Sequence, residues 1–305
     1  MGVRSRALAL ACSLLLGAVT ACAGPTPRAA APPAGIEGPT VAPTVAPTTP
    51  AAPTTSRRPT PKPSPTRPKP SPTLKKTVTA GADKPTTKPS TSPSDGTPTK
   101  GGGTFTVAEG STDVVGEGTT LVKYRVELED GISWGSVPKW TPEGFADVVN
   151  GVLADPRGWT MSAAHPVTNE AEDMTDASWR FQQVDDSSYS VRIRLATPNT
   201  VDKLCGSAGV DTAGVYSCRY GKTIMINLRR WLHGTTGFTN LPFYRAMVIN
   251  HEVGHFLGFN HMKCPGSGRT APVMQTQTIA LNGCTPNQYP FSSAGTFVVG
   301  PWLSS

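Results

Sequence analysis

The sequence predicts an α+β fold for its last two thirds, residues 104–305. Three observations favour this class: stretches in which apolar and polar residues alternate, two stretches with apolar residues at helical spacing, and a final segment with neither period. The elements follow one another in the order strand, helix, strands, helix and irregular tail. A domain of roughly 200 residues is long enough to bury a sizeable hydrophobic core.

The N-terminal segment has the pattern of a signal peptide. Two arginines precede an apolar run of about 13 residues, residues 7–19, which is too short to span a bilayer comfortably. The run ends in VTAC, residues 19–22, which resembles a bacterial lipobox. Residues 1–21 are therefore predicted to be a lipoprotein signal peptide, and a lipidated Cys22 would anchor the mature chain at the extracellular face of the cytoplasmic membrane. Soluble secretion after cleavage is the alternative.

Residues 22–103 are predicted to be a disordered tether rich in Pro, Thr and Lys. Between residues 23 and 103 the chain has 20 of its 31 Pro, and eleven Lys or Arg against three Asp or Glu. The segment lacks the aromatic and branched apolar residues that a core needs. Residues 104–305 have fifteen Lys or Arg and eighteen Asp or Glu, a formal charge of −3. No nucleic-acid partner is therefore expected for the domain. Contact of the tether lysines with anionic polymers or nucleic acid is the alternative for this segment.

The first strand and the first helix of the domain are predicted from residue spacing. From residue 121 to residue 129, apolar residues alternate with charged ones, which predicts a half-buried strand. Thr141, Pro142 and Glu143 then supply a cap, a proline at the first helical position and an early negative charge. Apolar residues follow at helical spacing and predict an amphipathic helix that faces the core; they are Phe145, Val148, Val149, Val152 and Leu153.

Three more strands and a second helix are predicted further along the chain. Residues 179–184 and 189–195 are separated by the turn-like sequence DDSS, and this arrangement predicts a β-hairpin. Residues 223–228 predict another strand, which we expect to be the sheet edge on which an extended peptide could pair. A second helix is predicted from Asn240 to about Gly258.

Four cysteines fall in the domain: Cys205, Cys218, Cys264 and Cys284. An even number of cysteines in an exported domain favours disulfides, and three pairings are possible. The pairing of Cys205 with Cys218 and of Cys264 with Cys284 is preferred, because each pair closes a short loop on one side of the second helix. A four-cysteine zinc site is disfavoured, since the close CxxC spacing of such sites is missing.

The second helix contains an eleven-residue motif, HEVGHFLGFNH. His251 and His255 are four residues apart, so they share a helical face and can direct their ring nitrogens at one point. Glu252, one step around the helix, can reach a water molecule on a metal without binding the metal itself. Gly258 can end the helix in a left-handed conformation, and the chain reversal would bring back His261 as a third ligand. Three neutral imidazoles and a water molecule form an open site suited to Zn²⁺.

This motif is specific. In a chain of this composition and length, HExxH occurs by chance at roughly two per thousand, and the added glycine and histidine lower this frequency to on the order of a few per million. A buried helix with hydrogen-bonded histidines is the alternative interpretation. That alternative would have to explain why three of the chain's five His and a Glu lie within eleven residues.

On these residues the sequence resembles the metzincin metallopeptidases, whose signature is HExxHxxGxxH followed by a Met-turn beneath the metal. The resemblance implies that His251, His255 and His261 are zinc ligands. It also implies that Glu252 is the general base and acid, and that Gly258 forms the turn.

The resemblance extends to Met274, which lies thirteen residues after His261 and is the candidate for the Met-turn. It implies a zincin-type layout: a mixed sheet, a backing helix, an active-site helix and a small irregular C-terminal lobe. The motif-specific part covers residues 243–276. A switchable Tyr ligand is not expected, because Thr276 stands two residues after Met274. The whole chain also resembles an uncharacterised family of exported lipoproteins from high-GC Gram-positive bacteria.

The function expected from these features is that of a cell-surface zinc-dependent metallopeptidase. Its partners would be a peptide or protein substrate, including cell-wall peptides, and the membrane through Cys22. Two alternatives remain: a zinc-stabilised binding module at the cell wall without catalysis, and a zinc amide hydrolase that acts on peptidoglycan cross-links. Glu252 favours hydrolysis, because a structural zinc site needs no adjacent carboxylate and usually has four protein ligands.

Overall fold

The computed structural model describes residues 95–238 and 240–303, and over these residues the chain has the expected α+β fold. The predicted signal peptide, the lipidation site at Cys22 and most of the predicted tether lie outside the described residues. Across the part that is described, no helix combines the length and the apolar character needed to cross a membrane.

The described residues contain nine β-strands and four α-helices. The strands are β1 (Phe105–Val107), β2 (Val114–Val115), β3 (Thr120–Glu129), β4 (Val167–Asn169), β5 (Met174–Ala177), β6 (Trp179–Gln183), β7 (Val191–Ala196), β8 (Cys218–Tyr220) and β9 (Thr223–Asn227). The helices are α1 (Pro142–Ala154), α2 (Pro198–Ser207), α3 (Leu228–His233) and α4 (Leu241–Leu257). Two short 3₁₀ segments, Trp159–Ala163 and Glu170–Glu172, lie between α1 and β5.

A mixed sheet forms the centre of the described fold. Its strands follow the order β2-β6-β3-β7-β9-β8, and β1 pairs with the end of β3. Strand β3 runs parallel to β6 and to β7, β7 runs parallel to β9, and β8 pairs with β9 in the antiparallel direction. Helices α1 and α4 pack against one face of the sheet and against each other. Strands β4 and β5 form a separate antiparallel pair.

The predicted strand at residues 121–129 is β3, and its polar side is more buried than the alternation suggested. Glu127 and Glu129 are only 1% and 3% exposed. Glu127 forms ion pairs of 2.6 Å with Arg125 and Arg194. Glu129 accepts hydrogen bonds from the backbone N–H and the hydroxyl of Thr197, at 2.7 and 2.8 Å. Both faces of β3 are therefore covered, because these partners satisfy the carboxylates that burial would otherwise penalise.

The predicted hairpin of residues 179–184 and 189–195 is wrong. The two segments are strands β6 and β7, but β3 lies between them and both run parallel to it. Strand β6 pairs with residues 120–124 and β7 pairs with residues 124–128, so the connection crosses β3 instead of turning back. Alternation with a period of two indicates that a segment is a strand, but it does not indicate which strand it pairs with.

Both predicted helices are confirmed, together with their caps. The hydroxyl of Thr141 accepts a hydrogen bond from Gly144 N at the start of α1. The side chain of Asn240 accepts one from Phe243 N at the start of α4. Helix α4 ends at Gly258, whose φ of +110° lies in the left-handed region that favours glycine. After Gly258, the described residues up to 303 contain only isolated bridges, as expected for an irregular C-terminal part.

The predicted strand at residues 223–228 is β9, but it is not an edge of the sheet. All five residues of β9 are buried, and the strand is paired on both sides, with β7 and with β8. The edge beside α4 is β8. Strand β8 has only three residues, too few to show an alternation of apolar and polar side chains. The sequence therefore contains no pattern that distinguishes β8 from a loop.

The preferred cysteine pairing is confirmed. In the described part of the chain, one disulfide joins Cys205 of α2 to Cys218 of β8, and the other joins Cys264 to Cys284. The first disulfide attaches the edge strand to a helix on the opposite face of the sheet from α4. The second closes a loop in the irregular C-terminal part.

Residues 95–103, which the sequence analysis assigned to the tether, make specific contacts with the domain. Asp95 accepts a hydrogen bond of 2.8 Å from Arg229 Nε. Gly103 N donates to the carboxylate of Glu129 at 3.1 Å. Burial raises the pKa of Asp95, but hydrogen bonds from Thr97 and Arg229 outweigh it and bring this pKa to about 2. Among the described residues, those that contact the domain therefore begin at Asp95, before the expected boundary at residue 104.

Candidate metal centre

Three histidine side chains converge at the end of α4. Nε2 of His255 lies 3.1 Å from Nε2 of His251 and 3.0 Å from Nε2 of His261. His251 and His255 are one helical turn apart on α4, and His261 follows the turn at Gly258. One ligand atom from each ring lies within 4.8 Å of the others. The structure thus brings together the three histidines that the motif singled out.

Backbone carbonyls orient two of these rings. Nδ1 of His251 is 2.8 Å from the carbonyl oxygen of Val273, and Nδ1 of His255 is 2.8 Å from that of Phe259. A carbonyl oxygen can only accept, so the proton of each ring is on Nδ1 and the lone pair is on Nε2. The lone pairs of these two rings therefore face each other, an arrangement that a cation between them would stabilise. A carbonyl partner on the second ring nitrogen is the usual environment of a metal-bound histidine.

The burial of the site favours neutral imidazoles. His251 and His255 are 8% and 5% exposed. Burial, together with the neighbouring His261, lowers the pKa of His251 to about 3, and burial moves the pKa of His255 well below its ordinary value. Neutral nitrogen donors in this number fit Zn²⁺, which takes three histidines in many catalytic sites and leaves one position open.

Glu252 is the carboxylate of the site. Its side chain is 5% exposed and lines the same cleft as the three histidines. Burial raises the pKa of Glu252 to about 8, although the charge of Arg219 acts in the opposite direction. A carboxyl group whose pKa is close to neutral can both accept and donate a proton.

The turn that returns His261 to the helix is held by aromatic packing. Phe259 N donates a hydrogen bond of 3.0 Å to the carbonyl of Gly254. The ring of Phe259 is fully buried and stacks on Trp159, with ring centroids 4.9 Å apart. Nε1 of Trp159 in turn donates to the carbonyl of Asn250, just before His251. Sequence reasoning missed Trp159 and Phe259, because nothing in the spacing of the motif connects a residue at position 159 with the turn.

Met274 lies against α4, next to the histidines. Its side chain is fully buried. A Cβ atom added to Gly254 would come within 2.9 Å of Trp159, and it would be closer still to the sulfur of Met274. The carbonyl of Met274 accepts a hydrogen bond of 3.1 Å from Met262 N. Met274 therefore packs against α4 at Gly254, the residue before His255, and the missing side chain of Gly254 leaves room for it. Its role as a Met-turn stays a prediction.

The cleft above the histidines has two walls. The first is the edge-strand wall, residues 216–219, which ends in Arg219 of β8. The second is the glutamine wall, residues 275–279. The glutamine wall is held from behind by the buried hydroxyl of Tyr244, which hydrogen-bonds Thr278 at 3.1 Å, and by Gln275 Nε2, which donates to two backbone carbonyls.

Arg219 was not singled out by its sequence. It comes from a three-residue strand, far along the chain from the motif, and no spacing rule connects it with Glu252. The cysteines of the two disulfides hold the segments that form the walls, with Cys218 directly before Arg219 and with the Cys264–Cys284 loop around the glutamine wall.

In a comparison with protein-family models, residues 91–292 match the family DUF3152, whose description is 'Protein of unknown function'. The matched range contains the whole sheet, helix α4 and the three histidines. No curated protein and no solved structure matches the chain.

Proposed function

We propose that this chain, which belongs to the DUF3152 family of proteins of unknown function, is a zinc-dependent metallopeptidase of the metzincin type. One observation carries the proposal: three histidine Nε2 atoms converge beside the buried carboxylate of Glu252, at the floor of an open cleft. A purely structural metal site would not require an adjacent proton carrier or an open cleft.

Zn²⁺ would be held by His251, His255 and His261. When bound, it would supply a Lewis acid that polarises a carbonyl group and lowers the pKa of a water molecule. The carbonyls of Val273 and Phe259 keep two of the rings in the orientation and tautomer that this role needs.

Glu252 is proposed to move the proton. Its carboxylate would take a proton from the attacking water and pass it to the nitrogen of the departing amine. Its near-complete burial supports this role, because a desolvated carboxylate holds a proton at neutral pH more readily than an exposed one.

The substrate is proposed to bind in an extended conformation along β8. This strand is the edge of the sheet beside α4, and it forms one wall of the cleft. Backbone pairing with a sheet edge suits a peptide, since the hydrogen bonds do not depend on its side chains.

The proposed location is the extracellular face of the membrane, with Cys22 as the lipid anchor. The two disulfides support an oxidising compartment. The variant Cys22→Ala should appear in the culture medium instead of the membrane fraction. Unchanged membrane retention of that variant would exclude the anchor.

The substrate class can be tested with the zinc-loaded full chain. The protein is incubated with a peptide library and with cross-linked peptidoglycan fragments, each with and without a zinc chelator. We expect cleavage of peptides that the chelator abolishes. Cleavage of the peptidoglycan fragments alone would indicate an amide hydrolase of the cell wall. If the folded, zinc-loaded protein cuts neither set, the peptidase proposal is wrong and a binding module is favoured.

The role of Glu252 can be tested by Glu252→Gln. We expect this variant to retain one zinc per chain and to lose hydrolysis by roughly 100-fold or more, because the amide cannot accept the proton. Glu109→Gln, at an exposed glutamate outside the residues that line the cleft, is the matched control and should leave both measurements unchanged. Substantial residual hydrolysis by Glu252→Gln would refute the assigned base.

A further inference from the structure

Arg219 faces the metal centre from the edge strand. It is the middle residue of β8 and lies opposite Ile224 of β9. Residues directly opposite each other in an antiparallel pair lie on the same face of the sheet. Ile224 belongs to the core on the α4 side, whereas Cys218 and its partner Met225 belong to the cluster on the other face. The side chain of Arg219 therefore lies on the α4 side, where it lines the cleft together with Glu252.

The guanidinium of Arg219 has a buried donor, Nε, without a hydrogen-bond partner among the described residues. Burial lowers the pKa of Arg219, although the charge of Glu252 acts in the opposite direction. A desolvated polar donor without a partner costs free energy, so its retention requires an explanation. Four other arginines of the domain form ion pairs with carboxylates: Arg125 and Arg194 with Glu127, Arg157 with Asp155, and Arg229 with Asp95.

The surroundings of Arg219 leave the cation available to a ligand. Among the described residues that line the cleft, the carboxylates are Asp211 and Glu252. Asp211 is exposed and accepts a hydrogen bond from Ala213 N. Glu252 has its own role in proton transfer. The glutamine wall of the same cleft, with the sequence Gln-Thr-Gln-Thr-Ile, carries no charge. Arg219 is thus a cation in a cleft whose other wall is neutral.

We propose that Arg219 recognises a carboxylate of the substrate, so that the site prefers peptides with an acidic group near the scissile bond. This inference rests on the proposed function, because it assumes a peptide lying along β8. A guanidinium binds a carboxylate through two parallel hydrogen bonds, and Nε is one of the donors that can take part. The carboxylate can come from an Asp or Glu side chain or from the free C-terminus of a short peptide.

The test compares the binding of peptides that differ in one functional group. Zinc-loaded full chain carrying Glu252→Gln is titrated with labelled peptides that contain Asp or Glu, or their isosteres Asn or Gln, all with amidated C-termini. A second set is neutral and has either a free or an amidated C-terminus. Tighter binding of the Asp or Glu peptide than of its isostere in the first set would identify a side-chain carboxylate as the ligand. Tighter binding of the peptide with a free C-terminus in the second set would identify the chain end. The same pairs are then used as hydrolysis substrates of the unaltered protein.

We expect the acidic member of one set to bind roughly tenfold more tightly or better than its isostere, as for a hydrogen bond to a charged group. Arg219→Gln and Arg219→Glu should abolish this preference, and Arg219→Lys should retain part of it. Arg192→Gln is the matched control. Arg192 is a half-buried arginine on β7 that hydrogen-bonds Thr223 and does not line the cleft, so the preference should survive.

Three results would overturn the inference. The first is equal binding of acidic peptides and isosteres, or no binding of either. The second is a preference that persists in Arg219→Gln or Arg219→Glu protein that melts normally and retains its zinc. The third is a preference that appears only when Glu252 has been replaced and is missing from the unaltered protein, since Arg219 would then serve only as the partner of Glu252. If the unaltered protein cuts no peptide, its binding is measured directly, so failure of the proposed hydrolysis is distinguished from failure of this inference.

Discussion

The floor and the two walls of the cleft are held in different ways. The floor is one continuous piece of chain, helix α4 and the turn after it, and its three histidines lie within eleven residues. The edge-strand wall and the glutamine wall come from segments about 60 residues apart in the chain. Each wall belongs to a segment bound by a disulfide, Cys205–Cys218 for the first and Cys264–Cys284 for the second.

This difference implies that the proposed metal binding and the proposed substrate binding depend on separate parts of the fold. The helical period and the turn at Gly258 bring the three histidines together, and contacts with Val273 and Trp159 support them from behind. The walls are positioned by cross-links and by hydrogen bonds between remote residues. We therefore expect changes in the floor to remove the metal and changes in the walls to leave it in place.

The largest expected effect is the loss of the metal from the floor. In His255→Ala, the ring whose Nε2 lies within 3.1 Å of both others is removed. Zinc content after dialysis should fall from one per chain to near zero, because loss of a direct ligand exceeds the roughly 10–100-fold loss typical of an outer-shell partner. His165→Ala, at an exposed histidine away from the cleft, should retain its zinc. Stoichiometric zinc in His255→Ala would contradict the ligand assignment.

The next effect concerns the edge-strand wall. Replacement of both Cys205 and Cys218 by Ala removes a cross-link with a sequence separation of 13 residues. The free energy of unfolding should fall by about 3 kcal/mol, because the unfolded chain gains conformational freedom. Denaturant titration measures this change, and zinc analysis of the folded fraction should still find one metal per chain. Loss of the metal together with this disulfide would show that the floor depends on the wall.

The smallest effect is expected beneath the floor. Gly254→Ala places a Cβ against Trp159 and Met274, so the free energy of unfolding should fall by about 1–3 kcal/mol through overpacking. Gly151→Ala is the matched control, since this exposed glycine of α1 has no heavy atom within 4 Å of an added Cβ. The control should raise the free energy of unfolding by about 0.5–1 kcal/mol through helix propensity. Equal stabilisation by both substitutions would mean that Met274 does not pack closely against α4.

The parts of the fold that the sequence predicted correctly depend on neighbours along the chain. Strand β3, helices α1 and α4, their caps and the left-handed Gly258 each follow from residues within one element. The disulfide pairing also followed from short separations. These features are local, so their side-chain spacing is visible before the chain is folded.

The incorrect predictions concern the pairing of strands. The segments expected to form a hairpin are separated by β3, and the strand expected at the edge is β9, which is paired on both sides. The charged side of β3 is buried because Arg194 and Thr197 come from β7 and the start of α2. A period of two indicates which residues share a face, but the identity of the neighbouring strand depends on the whole sheet.

The sequence by itself determined the chemistry of the floor: the three histidines proposed as ligands, their spacing, the glycine that reverses the chain and the carboxylate beside the first histidine. Only the tertiary structure decided what faces this chemistry. It placed Arg219 on the α4 side of the edge strand, Met274 and Trp159 against Gly254, and the uncharged glutamine wall along the same cleft. The physical reason is that helix geometry relates residues four positions apart in any fold, whereas contacts between remote segments exist only after the sheet has assembled.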